Sequence, residues 1–268
     1  MIQRSARRAG VSFLVMAALL AAVMSVRSVH KVIFAWTPLA AANGQASGGG
    51  VEAATAGTLR GKVVLQGSVP RNEAIKMNAD PVCVKETQGQ QQTQETYTVG
   101  VGNGLQNAFV YIKDGLGRYT YDVPKTPVVI DQKQCRYHPH VFGIRVGQPL
   151  DILNSDPTLH NIHAMPYENL EFNLGQPVQG MRTTKTFTVP EVMVPIRCDV
   201  HGWMNAYVGV MDSPYFAVSR ADGAFEIATL PPGTYTLAAW HEKLGTSTQK
   251  VTLGAKESRE ITVVFKVT

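Results

Sequence analysis

From Thr58 onward the chain carries no sustained helical period; instead, short runs rich in Val, Ile, Tyr, Phe and Thr alternate with polar residues and are broken by Gly, Pro and Asp-Gly. Residues 62–65, 108–113, 127–130, 143–146, 150–154, 185–189 and 206–211 read as strands. The pattern predicts an all-β protein. The Gln- and Thr-rich tract 86–95 reads as an exposed loop. Val192, Val194 and Ile196 fall two apart, so an extended chain places them on one face with Cys198, and Ala206, Val208 and Val210 form the return strand. The stretch from Cys198 to Met204 is then a short loop between neighbours.

The best hairpin signals come late. Asp222-Gly223 stands between Phe216-Ala217-Val218 and Phe225-Glu226-Ile227, and Pro231-Pro232-Gly233 precedes Tyr235-Thr236-Leu237. Asp-Gly supplies the positive φ that tight hairpins require.

The N-terminus follows different rules. Residues 1–42 hold Arg4, Arg7, Arg8, Arg27 and Lys31, no Asp or Glu, and an apolar run at 11–26, as an export leader does. Two readings stay open: cleavage near Ala40, Ala41 and Ala42, or retention of the apolar run as a membrane anchor at the short limit for a span. Residues 43–57, rich in Gly, Ala and Ser, read as a flexible linker. The leader also accounts for the net charge of +5: without its five basic residues, 20 of the 25 Lys and Arg remain to balance 20 Asp and Glu. A neutral folded part gives no basis for nucleic-acid binding.

Candidate chemistry concentrates in Cys198-Asp199-Val200-His201-Gly202-Trp203-Met204 and, upstream, in Asn154-Ser155-Asp156-Pro157-Thr158-Leu159-His160-Asn161. One thiolate, two imidazoles and a thioether form the donor set of a copper electron-transfer site, whereas closed zinc sites use more Cys or His and no thioether. Taken singly, Cys198 reads as a buried inert thiol and His160 or His201 as a core histidine; their joint spacing favours a metal. His163 alternates away from His160 in an extended chain. His138 and His140 lie near the expected metal end, with surface or structural roles ahead of a second site. His241-Glu242 lacks the second His that a zinc-protease helix requires.

These residues resemble a cupredoxin, closest in loop spacing to the amicyanin and plastocyanin type. The shared features are Asn154 before His160-Asn161, then Cys198, His201 and Met204 as Cys-x-x-His-x-x-Met, with Tyr137-His138-Pro139 and Gly147 upstream. The resemblance implies a Greek-key β-sandwich at 126–212 with one type 1 copper on His160, Cys198, His201 and Met204. It implies that Asn161 ties the two ligand loops together and that the His201 ring edge approaches the surface beside Gly202 and Trp203. The string from Asp222 to Leu237, with Gly61-Lys62-Val63-Val64 and Asn107-Ala108-Phe109-Val110-Tyr111-Ile112, resembles a carboxypeptidase regulatory-like (transthyretin-like) β-sandwich in two parts, 58–125 and 213–268. That implies a nested arrangement, with a sequential one as the alternative. With Cys198 reserved for the metal and export favouring oxidation, Cys83 and Cys135 are expected to pair as a disulfide.

The function implied is an exported, non-enzymatic carrier of single electrons, partnered by a cytochrome or membrane oxidoreductase. The alternative is a periplasmic copper storage or delivery protein.

Overall fold

The computed structural model describes residues 54–267, so the expected leader and most of the linker lie outside the described residues. Among those described, no helix is long and apolar enough to cross a membrane. The chain is built almost wholly of strands. In order these are β1 (Gly57–Gln66), a short helix α1 (Pro81–Glu86), β2 (Phe109–Asp114), β3 (Val128–Lys133), β4 (Arg136–His138), β5 (Val141–Arg145) and β6 (Leu150–Asn154). There follow β7 (His160–Ala164), β8 (Phe172–Gln176), β9 (Arg182–Lys185), β10 (Glu191–Arg197) and β11 (Asn205–Met211). The last five are β12 (Phe216–Val218), β13 (Ala224–Leu230), β14 (Gly233–His241), β15 (Gly245–Leu253) and β16 (Ser258–Lys266).

Four sheets make two sandwiches. In the first, the sheet β5-β11-β10-β7-β8 faces β4-β3-β6-β9. Alternate side chains from both, among them Ile130, Ile152, Ile162, Val194, Ile196 and Val208, fill the space between. In the second, β13-β1-β16 faces β12-β2-β14-β15 around Leu59, Val63, Val110, Ile112, Tyr235, Leu237 and Phe265. β1 pairs antiparallel with β13 and parallel with β16, and β2 pairs with β12 and β14. Both N-terminal strands are thus hydrogen-bonded to strands beyond Phe216, on the far side of the first sandwich in sequence.

β2 explains how the two sandwiches join. Its Val110 and Ile112 point into the second core, while Phe109 and Tyr111 point the other way, into a third apolar cluster with Val141, Met193, Met211 and Ala238. The rings of Phe109 and Phe216 lie against Gly143, and Phe109 also against Gly209, where an added Cβ would come within 2.4 Å of ring carbon. Gly143 and Gly209 are register partners on β5 and β11. Two glycines therefore open a bare patch of sheet into which the second sandwich presses its rings.

The structure departs from the sequence expectations in several places. Ile75, Met77 and Cys83, expected with the first part of the second sandwich, belong to the core of the first. The tract 86–95 is half exposed and hooked down: Thr87 is buried, and Arg136 donates to the Thr93 carbonyl at 2.7 Å and pairs with Glu95 at 3.0 Å. Asp222-Gly223 makes its turn, with Gly223 at φ +77, but joins β12 to β13 in opposite sheets, not in a hairpin. Pro231-Pro232-Gly233 likewise crosses between sheets, and the hairpin at this end is β14-β15. The strand expected at 185–189 ends at Lys185, and Phe187 is buried from the following loop. A register shift between Glu191 and Val194 turns Val192 outward, 41% exposed, so the face shared with Cys198 begins at Val194.

Candidate metal centre

Cys198 directly follows β10, and its loop folds on itself before β11 begins. The Cys198 N–H donates to the Met204 carbonyl at 3.1 Å, the Met204 N–H to the His201 carbonyl at 2.8 Å, and the His201 N–H to Cys198 Sγ at 3.3 Å. His160 opens β7 instead of lying in a loop. The turn before it is held by Asn154, whose Nδ2 donates to the Thr158 and Gln176 carbonyls and whose Oδ1 accepts from the Asp156 N–H. His160, Cys198, His201 and Met204 are all buried, and one donor atom each from His160, Cys198 and His201 lies within 4.8 Å of the others.

The two imidazoles meet at Nδ1, 3.0 Å apart, with Cys198 Sγ 3.9 Å from that of His201. Each Nε2 faces a carboxylate. Asp156 Oδ2 lies 2.8 Å from His160 Nε2, and Asp80 Oδ2 lies 2.8 Å from His201 Nε2. A carboxylate can only accept, so each Nε2 carries a proton, and the two Nδ1 atoms face one another and a sulfur. Facing lone pairs repel at this separation unless a proton or metal cation lies with them. A donor set of two imidazoles, a thiolate and a thioether fits a copper ion.

Protonation follows the same geometry. Burial disfavours the charged His160, but Asp156 and the Cys198 sulfur outweigh it and hold its pKa up at about 9. Burial likewise works against the Cys198 thiolate, yet His160, His201 and the backbone N–H groups of His201 and Asn161 bring its pKa down to about 6. His201 is raised despite its burial, through Cys198 and Asp80.

Asp80 and Asp156 were not singled out from the sequence. Asp156 accepts from the N–H groups of Gln134 and Cys135 at 2.7 Å each, tying the β3–β4 turn to His160. Asp80 caps α1, with Oδ1 accepting from Val82 N–H at 2.8 Å and Pro81 taking the first helical position. An Asp-Pro pair announces a helix start but says nothing of what the second oxygen touches. Cys83, one turn on, is bonded to Cys135 and places its Sγ 3.7 Å from His201 Nε2.

This segment overturns the expected exit at His201. The ring is 3% exposed and sits under Asp80 and the disulfide, while the half-buried Trp203 donates Nε1–H to the Cys135 carbonyl at 3.0 Å. Asn161 Oδ1 accepts from the Asp199 N–H at 2.9 Å and so ties β7 to the Cys198–Met204 loop. His163 pairs with Glu171 at 2.7 Å and Asp199 at 3.0 Å, outside the donor cluster. His140 is buried against Glu242 at 2.7 Å, a link between the sandwiches, and His138 is exposed beside the Lys133 carbonyl.

No protein-family model matches the chain, and no curated protein does. Among solved structures it is similar to a Cu-containing nitrite reductase from Thermus scotoductus SA-01, at 21% identity over 36% of this chain and 24% of that one, TM-score 0.31. It is also similar to a mutant of amicyanin in the Cu(I) form, at 20% identity over 38% of this chain and 98% of that one, TM-score 0.29. A purple cupredoxin from Nitrosopumilus maritimus follows, at 25% identity over 28% and 82%, TM-score 0.25. The structural neighbours are cupredoxins, matched over part of this chain, which spans about a quarter of the length of the nitrite reductase.

Proposed function

We propose that this protein is an exported carrier of single electrons, with one type 1 copper held by His160, Cys198, His201 and Met204. The observation that carries the reading is the pair of Nδ1 atoms 3.0 Å apart beside Cys198 Sγ, with each opposite ring nitrogen occupied by a carboxylate. Such an arrangement needs a positive charge between its donors, a proton in the metal-free protein or a metal cation in its place. Bound there, copper would supply a reversible one-electron couple; the chain supplies soft and imidazole donors, a fixed shell and exclusion of water. Four protein donors leave no open position for a substrate, which argues against an enzyme. The Cys83–Cys135 disulfide favours an oxidising compartment. A redox protein, whether a cytochrome or a membrane oxidoreductase, is the partner this chemistry requires.

Copper-loaded protein should show intense visible absorption from thiolate-to-copper charge transfer. Cys198→Ser should abolish it, and Met204→Leu should retain it with a changed potential. A colourless copper complex would overturn the assignment and put copper storage or delivery ahead.

A further inference from the structure

The two carboxylates behind the imidazoles have different origins. Asp156 is local, four residues before His160 in the same turn. Asp80 arrives from a segment outside the ligand-bearing strands and is fixed from several sides. Its Oδ1 caps α1 through Val82 and Cys83, and Thr158 Oγ1 stands 3.3 Å from its Oδ2. The disulfide from Cys83 to Cys135 pins the helix to the β3–β4 turn. Little freedom is left for this carboxylate to leave Nε2.

We propose that Asp80 is a positioning residue which, acting through His201, biases the bound copper toward Cu(II); the inference rests on the copper reading above. Two effects act in the same direction. Accepting the Nε2 proton fixes the His201 tautomer and makes Nδ1 a stronger donor. A fixed negative charge behind a buried ring favours the ion of higher charge. His160 has the same support from Asp156, so neither imidazole relies on solvent for its outer hydrogen bond.

The informative variant is Asp80→Asn. Asparagine keeps one oxygen for the α1 cap and turns an NH2 group toward His201, so it removes the charge and the acceptor behind Nε2 while sparing the cap. Cu(II) and Cu(I) affinities by chelator competition, with the potential by redox titration, should show Cu(II) binding weakened about tenfold and Cu(I) binding much less. The potential should rise by about 59 mV for a tenfold change in the ratio. Asp80→Glu, which retains the charge, should recover most of the wild-type value. An unchanged potential in D80N, or equal losses for both oxidation states, overturns the inference while leaving the copper site standing. Wild-type protein that binds no copper removes the function proposed above and this inference together.

Discussion

Between β1 and β14 the second sandwich buries Leu59, Val63, Leu65, Leu237 and Phe265 with few polar groups for company: Ser219, whose hydroxyl is satisfied by the Ala108 N–H and the Leu105 carbonyl, and the imidazole of His241 beside Phe265. The first sandwich buries an apolar layer of similar kind, yet at one end it also buries Gln132, Asn154, Asp156, His160, Gln176 and His201. A framework needs only the apolar layer. Polar groups taken from water cost free energy unless each finds a partner, and a connected set of them specifies a geometry more than it adds stability. The end of the first sandwich that holds them is where we place the proposed copper site, with the second sandwich as its support.

The contrast breaks most severely if the supporting half is removed. Truncation after Asp212 takes away β12 to β16, leaving β1 and β2 unpaired and the Phe109–Gly209 contact without its backing. The expected product is aggregated protein with no soluble copper module, measured by size-exclusion chromatography; a soluble, copper-binding fragment would show the first sandwich to be independent.

A smaller break acts on the polar end alone. Asp156→Ala should cost the metal-free protein about 3–5 kcal/mol near pH 6, by denaturant titration, because it strands a buried imidazolium. Ile227→Val in the second sandwich should cost about 0.5–1.5 kcal/mol. The pH dependence has a definite sign. His160 is raised in the folded state to about 9, so its pairing contributes fully below the unfolded value near 6.5 and is lost as pH rises through 9. Asp156 is lowered, so its share is present above the unfolded carboxylate range and lost on acidification. The penalty of Asp156→Ala should therefore be largest between about pH 4 and 6.5 and shrink on either side.

The mildest test changes no residue. At pH 7.5 Cys198, with its pKa at about 6, is already thiolate, whereas His160, at about 9, holds a proton that must leave before Nδ1 can bind a metal. Copper loading followed by calorimetry in buffers of different ionisation enthalpy should show proton release, and below pH 9 apparent affinity should fall about tenfold for each pH unit of acidification per proton displaced.

Much of this was legible in the sequence because it is local. The strand expected at 150–154 is β6, and Cys198, His201 and Met204 converge because one short loop carries all three. The cysteine pairing expected from compartment and elimination is the one the structure holds. What escaped was long-range. Asp222-Gly223 specifies a turn but not which sheet the next strand joins, and nothing near Asp80 indicates that its carboxylate meets a histidine 121 residues away. The register shift at Glu191 to Val194 escaped for a related reason, since an alternating pattern cannot record an extra residue.

The pairing of β1 with β16 also governs timing. A chain that emerges N-terminus first presents Leu59, Val63 and Leu65 early, but the strands that cover them, β13 and β16, are the product of its final stretch. The residues of the first sandwich emerge between the two, whereas the apolar face of β1 stays uncovered until the end arrives. Loop closure over such a separation is slow, and an open sheet edge with apolar side chains is what holding chaperones recognise. Folding of this chain is consequently a matter of guarding its beginning until its end has emerged.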